Sequence, residues 1–325
     1  MNVARLLRWE STLALVLIAE FIFFATVSPY FLNVWTLSDA TFNFTEKALV
    51  ALPLALLIIA GEIDISVAAI MALASVAMGL AAAHGFPTSA IACVGLATGL
   101  AAGAVNGALV AVARVPSIVA TIGTMTLFRG LAYAILGDRV LKDYPHSFSM
   151  FGQGYLSGPV SIELALFIVC AIAAAVVLHL TASGRRIYAI GANAIAARAS
   201  GVAVDRYRFA LFVLTGLFSG LASILLTSRL GSTRPSIAQG WELEIIGMVI
   251  LGGISVWGGK GTIGGVVLAA IVLGLISFGL GLLNVPGIVM SVVVGALLIA
   301  VVAIPVASER WIAARTARAN AAHPQ

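Results

Sequence analysis

The chain has 325 residues, 61% of them apolar and only 10% charged, with 18 Lys and Arg against 13 Asp and Glu and a net charge of +5. A soluble domain averages about 45–50% apolar and about 25% charged residues, so this composition excludes a water-facing globule, and the surplus apolar surface must face lipid. A pI near 9.6 would suggest nucleic acid in a soluble protein. Here the basic residues sit in short connections between apolar runs, the positive-inside pattern of a membrane protein, and that reading is excluded too.

A membrane-crossing helix needs ~20 mostly apolar residues. The runs predict ten, at 11–32, 48–62, 65–83, 89–113, 117–136, 162–181, 209–228, 244–256, 263–283 and 287–306. Arg5 and Arg8 precede the first run, but no small-residue cleavage site follows it, so it is expected to stay as an uncleaved helix carrying Glu20.

The second and eighth runs are short, with Gly61, Gly252 and Gly253 near their ends. Such Gly-interrupted segments occur where irregular backbone lines a cavity instead of touching lipid. Glu62, Asp64 and Ser66 follow Gly61. They are expected to line a polar break in a translocation path, to cap the helix that begins at Ile65, or both.

Further along, Gly95, Gly99, Gly103 and Gly107 form a four-residue ladder, repeated by Gly216 and Gly220. Small residues let helix backbones approach closely in lipid, so the ladder predicts helix packing. Arg129 falls midway along 117–136. An intramembrane charge is a functional candidate by default, and two roles stay open for it: contact with substrate hydroxyls, or pairing with a carboxylate such as Glu62.

The connection 137–161 is rich in Gly, Pro and aromatics, while 181–208 carries five arginines. Within the latter, Asn193 is a good N-cap and Gly201 a good stop, predicting a two-turn helix over 194–200 held on the cytoplasmic face. With the N-terminus inside, twelve Lys and Arg fall on the cytoplasmic side and five outside. The expectation is therefore an all-α polytopic membrane protein. It has about ten transmembrane helices, both termini cytoplasmic, one permease-sized domain over 1–325 and a basic tail at 307–325.

Some apparent motifs carry no chemistry. Gly259-Lys260-Gly261-Thr262-Ile263-Gly264 matches the dinucleotide fingerprint in letters, but that fingerprint works only after a strand in a βαβ unit; here it is a turn between spans. Cys93 and Cys170 lack metal spacing and read as small buried hydrophobes. The four histidines are scattered, so no catalytic constellation and no metal site are expected.

Three stretches resemble one family. Gly184 to Gly201, including Arg185, Asn193, Ala196, Ala197 and Arg198, is similar to the cytoplasmic coupling segment of permeases in the ribose-type family of ABC importers. Gly61-Glu62-Ile63-Asp64-Ile65-Ser66-Val67 resembles that family's Gly-Gly-Ile-Asp-Leu-Ser-Val signature, with Glu62 in the place of the second Gly. Ile250-Leu251-Gly252-Gly253-Ile254-Ser255, followed by the glycine turn 258–265, resembles its third signature.

Stretches 37–47 and 228–242 look closest to the permease of rhamnose importers, and permeases for autoinducer-2 are also similar. The resemblance implies a monosaccharide permease subunit in the bacterial inner membrane, with 181–208 as its coupling loop and rhamnose or a related deoxy sugar as the first expectation. Autoinducer-2 or a ribose- or xylose-type sugar is the alternative. It also implies a cytoplasmic ATP-binding subunit that holds ATP and Mg, a periplasmic sugar-binding protein and a second permease subunit, identical or homologous. No cofactor is expected on this chain. Two other classes stay open on residue chemistry: a proton-coupled secondary transporter working through Glu20, Glu62 or Asp64, and a membrane scaffold.

Overall fold

The structure, a computed structural model, describes residues 3–297 and 299; the far end of the tenth apolar run and the basic tail 307–325 lie outside the described residues. Each apolar run begins or contains a helix. In chain order these are α1 (Val3–Val27), α2 (Val34–Thr41), α3 (Thr45–Ile59), α4 (Val67–Ala83), α5 (Thr88–Gly107, continued by a π turn over Ala108–Val112), α6 (Ser117–Leu136), α7 (Met150–Gln153), α8 (Ile162–Leu180), α9 (Ala182–Ala192), α10 (Ala194–Ala199), α11 (Val204–Leu230), α12 (Trp241–Leu251) and α13 (Ile263–Leu282), then α14 (Gly287–Leu297). Among the described residues the one paired sheet is the hairpin of β1 (Tyr155–Ser157) and β2 (Val160–Ser161).

Six of these helices are long and apolar enough to cross a membrane: α1 from Trp9, α5 with its π turn, α6, α8, α11 and α13. A seventh crossing arises if α2 and α3, bent by 45° at a short break, are counted as one. The chain is thus an all-α polytopic membrane protein. Of the remaining predicted spans, α4 and α12 are helical but too brief to count by length alone, and α14 is given only over its described residues.

Why these helices are short follows from where they sit. Nearly every residue of α3 and α4 is buried. A helix sheathed by protein need not match the lipid thickness, and irregular backbone at its ends is tolerated because other protein groups satisfy it. By contrast α1 and α8 have few buried residues, as lipid-facing helices should.

Contacts at the helix ends order the chain between two faces. At one face, the Trp9 indole N–H donates to Leu251 O at 2.8 Å, Thr262 Oγ1 donates to Glu10 at 2.5 Å, Gly259 N donates to Ile59 O at 2.8 Å, and the Tyr188 hydroxyl donates to Gly261 O at 2.6 Å. This face therefore gathers the start of α1, the end of α3, α9, the end of α12 and the start of α13. The apparent dinucleotide fingerprint lies here as a tight turn, with Thr262 capping α13.

At the other face, Ser38 donates to Pro159 O, Leu141 bridges Thr233, and Tyr155 donates to Asp39 at 3.1 Å. The long 137–161 connection is folded: it holds α7 and the hairpin, pinned by Ser228 Oγ donating to Phe148 O at 2.6 Å. Burial pushes the Tyr144 hydroxyl up to about 12, so it remains a neutral partner for Thr233 at 2.5 Å.

The glycine ladder lies between α5 and α11. An added Cβ at Gly99 would meet Gly216 O and lie 2.8 Å from Gly220 Cα; one at Gly103 would lie 3.0 Å from Gly216 Cα; one at Gly107 would lie 2.9 Å from the Phe209 ring. Gly95 extends the seam to Met78 of α4. Backbones this close leave no room for side chains, and the close approach replaces the hydrophobic drive that lipid does not supply. Cys93 lies exposed on α5 rather than buried, and Cys170 is half-buried.

Gly99→Ala should therefore cost about 1–3 kcal/mol, the usual cost of overpacking, whereas Gly123→Ala on α6, with nothing within 4 Å of its added Cβ, should be neutral. Thermal unfolding of the purified full chain in detergent checks the pair.

Candidate functional site

The break between α3 and α4 is built around a buried carboxylate. Gly61 ends α3 with φ +86, a left-handed conformation that favours glycine. An added Cβ at Gly258 would lie 3.1 Å from Gly61 Cα, so the turn is wedged against the 258–261 glycines. Asp64 is fully buried. Its Oδ1 accepts from Ser66 N at 2.9 Å and Ser66 Oγ at 2.7 Å, and its Oδ2 accepts from Asn106 Nδ2 at 3.2 Å. Asn106 also donates to Ser66 Oγ at 2.8 Å.

Asp64 thus caps the start of α4 through the Ser66 N–H and ties it to α5. Ser117 of α6 supplies its hydroxyl to Ile63 N at 3.3 Å. The break is closed by side chains from two neighbouring helices, which lets irregular backbone persist away from water.

Glu62 turns the other way. It forms an ion pair with Arg208 of α11 at 2.8 Å, and both line a cleft of about 220 Å³ with Arg114, Ser117, Arg198 and Asp205. Arg198 of α10 grips Asp205 through two hydrogen bonds of 2.8 Å each. Asp205 and Arg208 are one turn apart on α11, so two ion pairs in series join α10 to the break.

The 181–208 segment differs in part from expectation. Asn193 caps α10 as predicted, its Oδ1 accepting from Ile195 N and Ala196 N at 3.0 Å, and Gly201 ends the turn with φ +82. The stretch before it, including Gly184, Arg185 and Arg186, is not a loop but α9, whose start is capped by Thr181 Oγ1 at 3.3 Å from Gly184 N. Residues 182–192 mix small, basic and apolar side chains, but the buried Gly184, Ile187 and Ile190 recur at helical spacing and seat the helix on the bundle.

Gly184 packs against the backbone at Leu178 and Gly191 against that at Ile59 and Gly259, so the pair of short helices is seated on the bundle. Ala197 is buried beneath α10, Ala196 and Arg198 are exposed, and Ile195 is 83% exposed. Trp257, 90% exposed, belongs to the same face.

Arg129 does not pair with Glu62. Its Nη1 donates to Pro235 O at 2.9 Å and Ile237 O at 2.8 Å, because the segment between α11 and α12 folds back beside α6. That segment carries Ala238 at φ 56 and Gly240 at φ 87. The predicted residues therefore divide: Glu62, Asp64, Ser66 and the α10 group share one face, and Arg129 serves the other half of the bundle.

Sequence reasoning passed over the ion pairs at that other half. Glu46, fully buried, takes a bidentate grip from Arg229 at 2.7 and 3.0 Å, and Lys47 pairs with Glu244 while sitting 4.6 Å from the Trp241 ring centre. Glu163, also buried, lies beside Glu46 and Arg229, and among the described residues neither of its oxygens has a hydrogen-bond partner. The signal was available: each of these charges stands in the first or last turn of its helix.

Asn106→Ala would strip a donor from two buried acceptors, Asp64 Oδ2 and Ser66 Oγ, at a cost of about 1–3 kcal/mol. The unfolding midpoint of the full chain in detergent should fall, and Thr98→Ala on the same helix, whose hydroxyl only bonds back to Val94 O, should not lower it comparably.

Residues 37–302 match the family described as the permease component of branched-chain amino acid transport systems. The chain is 33% identical over 305 residues to the autoinducer 2 import system permease protein LsrD of Photorhabdus temperata, covering 92% of this chain and 91% of that protein. It is 34% identical over 308 residues to the protein of the same name from Yersinia enterocolitica, covering 93% of each. No solved structure matches the chain. With the apolar helices, the match makes it a multi-pass protein of the bacterial inner membrane. The chain belongs to this permease family, the ribose-type ABC importer permeases that its Gly61–Val67 and 184–201 stretches resemble.

Proposed function

We propose that this permease subunit imports autoinducer-2 or a closely related small sugar-like molecule, driven by a separate ATP-binding subunit. The observation that carries the substrate is the likeness to permeases named for autoinducer 2 import, which extends over 91–93% of those proteins. Rhamnose rests only on the short stretches 37–47 and 228–242, so the alternative substrate of the sequence reading takes precedence.

In this reading the chain crosses the membrane ten times with both termini cytoplasmic, and the face bearing α9 and α10 is the cytoplasmic one. ATP and Mg belong to the partner, and this chain is a transport subunit rather than an enzyme. The exposed Ile195 and Trp257 offer an apolar docking surface, while buried Ala197, Ile187 and Ile190 transmit force into the bundle. A push on α10 reaches α11 through Arg198–Asp205 and the α3–α4 break through Arg208–Glu62. A periplasmic binding protein delivers the molecule at the face bearing the hairpin, and a second permease subunit completes the path.

A proton-coupled carrier requires a carboxylate free to exchange protons along the path. Asp64 is held by three donors and Glu62 by an ion pair, an arrangement that suits structural linkage better than proton exchange.

In cells lacking their own importer and supplied with this chain, its ATPase and its binding protein, labelled autoinducer-2 should be taken up. Uptake of rhamnose in place of autoinducer-2 would overturn the substrate, and uptake that persists without the ATPase and follows the proton gradient would overturn the machinery. Ile195→Asp combined with Arg198→Glu should abolish co-purification of the ATPase and reduce uptake at least tenfold without lowering the amount of membrane-inserted chain; unchanged co-purification would show that α10 is not the docking helix.

A further inference from the structure

The segment between α11 and α12 separates two cavities, one with a mixed lining and one mostly apolar with a few polar groups, and both are lined by Gln239. One, of about 270 Å³, is bounded by Arg229, Arg234, Ser236 and Trp241 among others. The second, of about 380 Å³, is bounded by Met125, Thr126, Arg129, Tyr133, Gln239 and Glu242, and its size falls within the range of small-molecule sites.

Three features of the larger cavity point to a ligand. Glu242 Oε2 is enclosed and has no hydrogen-bond partner among the described residues, an acceptor whose lost hydration is left uncompensated. Arg129 spends only Nη1 on the Pro235 and Ile237 carbonyls, so its remaining N–H groups are free to donate into the cavity. Thr126 donates its own proton to Ile122 O at 3.1 Å and so offers lone pairs, while Tyr133 and Gln239 each offer both a donor and an acceptor.

The cavity opens on the exposed side of α6, where Thr126, Gly130 and Tyr133 recur at helical spacing. Lipid cannot solvate a guanidinium and a carboxylate there, so this side of α6 faces an aqueous path. Donors and acceptors in near balance match a molecule that carries several hydroxyl groups. Arg129 and Glu242 cancel in charge, so the preferred ligand is uncharged: a phosphorylated sugar would bring charge with nothing left to pair it.

We infer that the cavity formed by Arg129, Glu242, Gln239, Thr126 and Tyr133 is a binding site for an uncharged polyhydroxylated solute on its way through the permease. Arg129 holds the 235–237 backbone in place, Glu242 accepts from ligand hydroxyls, and Gln239 stands at the boundary where the ligand leaves one cavity for the next. This deepens the transport reading and rests on it.

Uptake kinetics in the complete importer test the site, with autoinducer-2 as the probe. Glu242→Gln, which keeps shape and removes the strongest acceptor, should raise KM at least tenfold with a much smaller change in maximal rate, and Gln239→Ala should do the same. Loss of uniform binding appears in KM, whereas misfolding removes maximal rate in proportion to inserted protein. Leu243→Ala, on an exposed neighbour outside the cavity, should leave both unchanged.

Wild-type KM in both cavity variants, with wild-type uptake intact, would overturn the site and leave the transport function standing. If the wild type carries a different uncharged sugar, the substrate falls, and the site stands or falls on whether the same two variants raise KM for that sugar. A phosphorylated sugar competing as well as its uncharged parent would also overturn it.

Discussion

Lipid offers a backbone no hydrogen bonds, and that single constraint shapes this molecule. A chain that crosses as unbroken helices alone makes a sealed bundle; a permease needs irregular backbone and polar groups at depth. The solution is to bury the breaks inside protein. The α3–α4 break is closed by Asp64, Ser66, Asn106 and Ser117, drawn from the break itself and two other helices. The α11–α12 segment is held by Arg129 through two main-chain carbonyls. In each case a polar side chain on a long outer helix substitutes for water.

That division explains the two kinds of helix. The lipid-facing helices are long, apolar and little buried; the inner α3 and α4 are short and mostly buried. Being short leaves room at their ends for turns, and those turns carry the charges. Close packing of α5 on α11 through their glycines then fixes the frame against which the short helices sit.

The parts legible in the sequence were those set by composition and local geometry. Apolar runs marked the helices, the Gly95–Gly107 ladder marked a close seam, and Asn193 with Gly201 marked the limits of α10. Partner choice was not legible. Glu62 and Arg129 look like a natural pair in sequence, one intramembrane charge of each sign, yet they belong to different halves of the bundle and find Arg208 and the Pro235 and Ile237 carbonyls instead. Pairing depends on which helix ends meet, and a run of apolar residues says nothing about that. α9 escaped for a different reason: Gly184, Ile187 and Ile190 recur at helical spacing and are buried, a period that was present in the sequence but hidden among arginines and glycines.

The two ion pairs linking α10 to the break also set the sign of communication. Arg198–Asp205 is solvent-exposed on both sides, whereas Glu62 in the second pair is nearly buried. An exposed pair contributes little and readily exchanges its partners for water. A buried carboxylate resists losing its partner far more strongly. Motion entering at α10 is therefore loose at the surface and stiff at depth: α10 can rock against α11, but once α11 moves, the α3–α4 break must follow Arg208. The linkage stiffens from the surface inward, from α10 to the α3–α4 break.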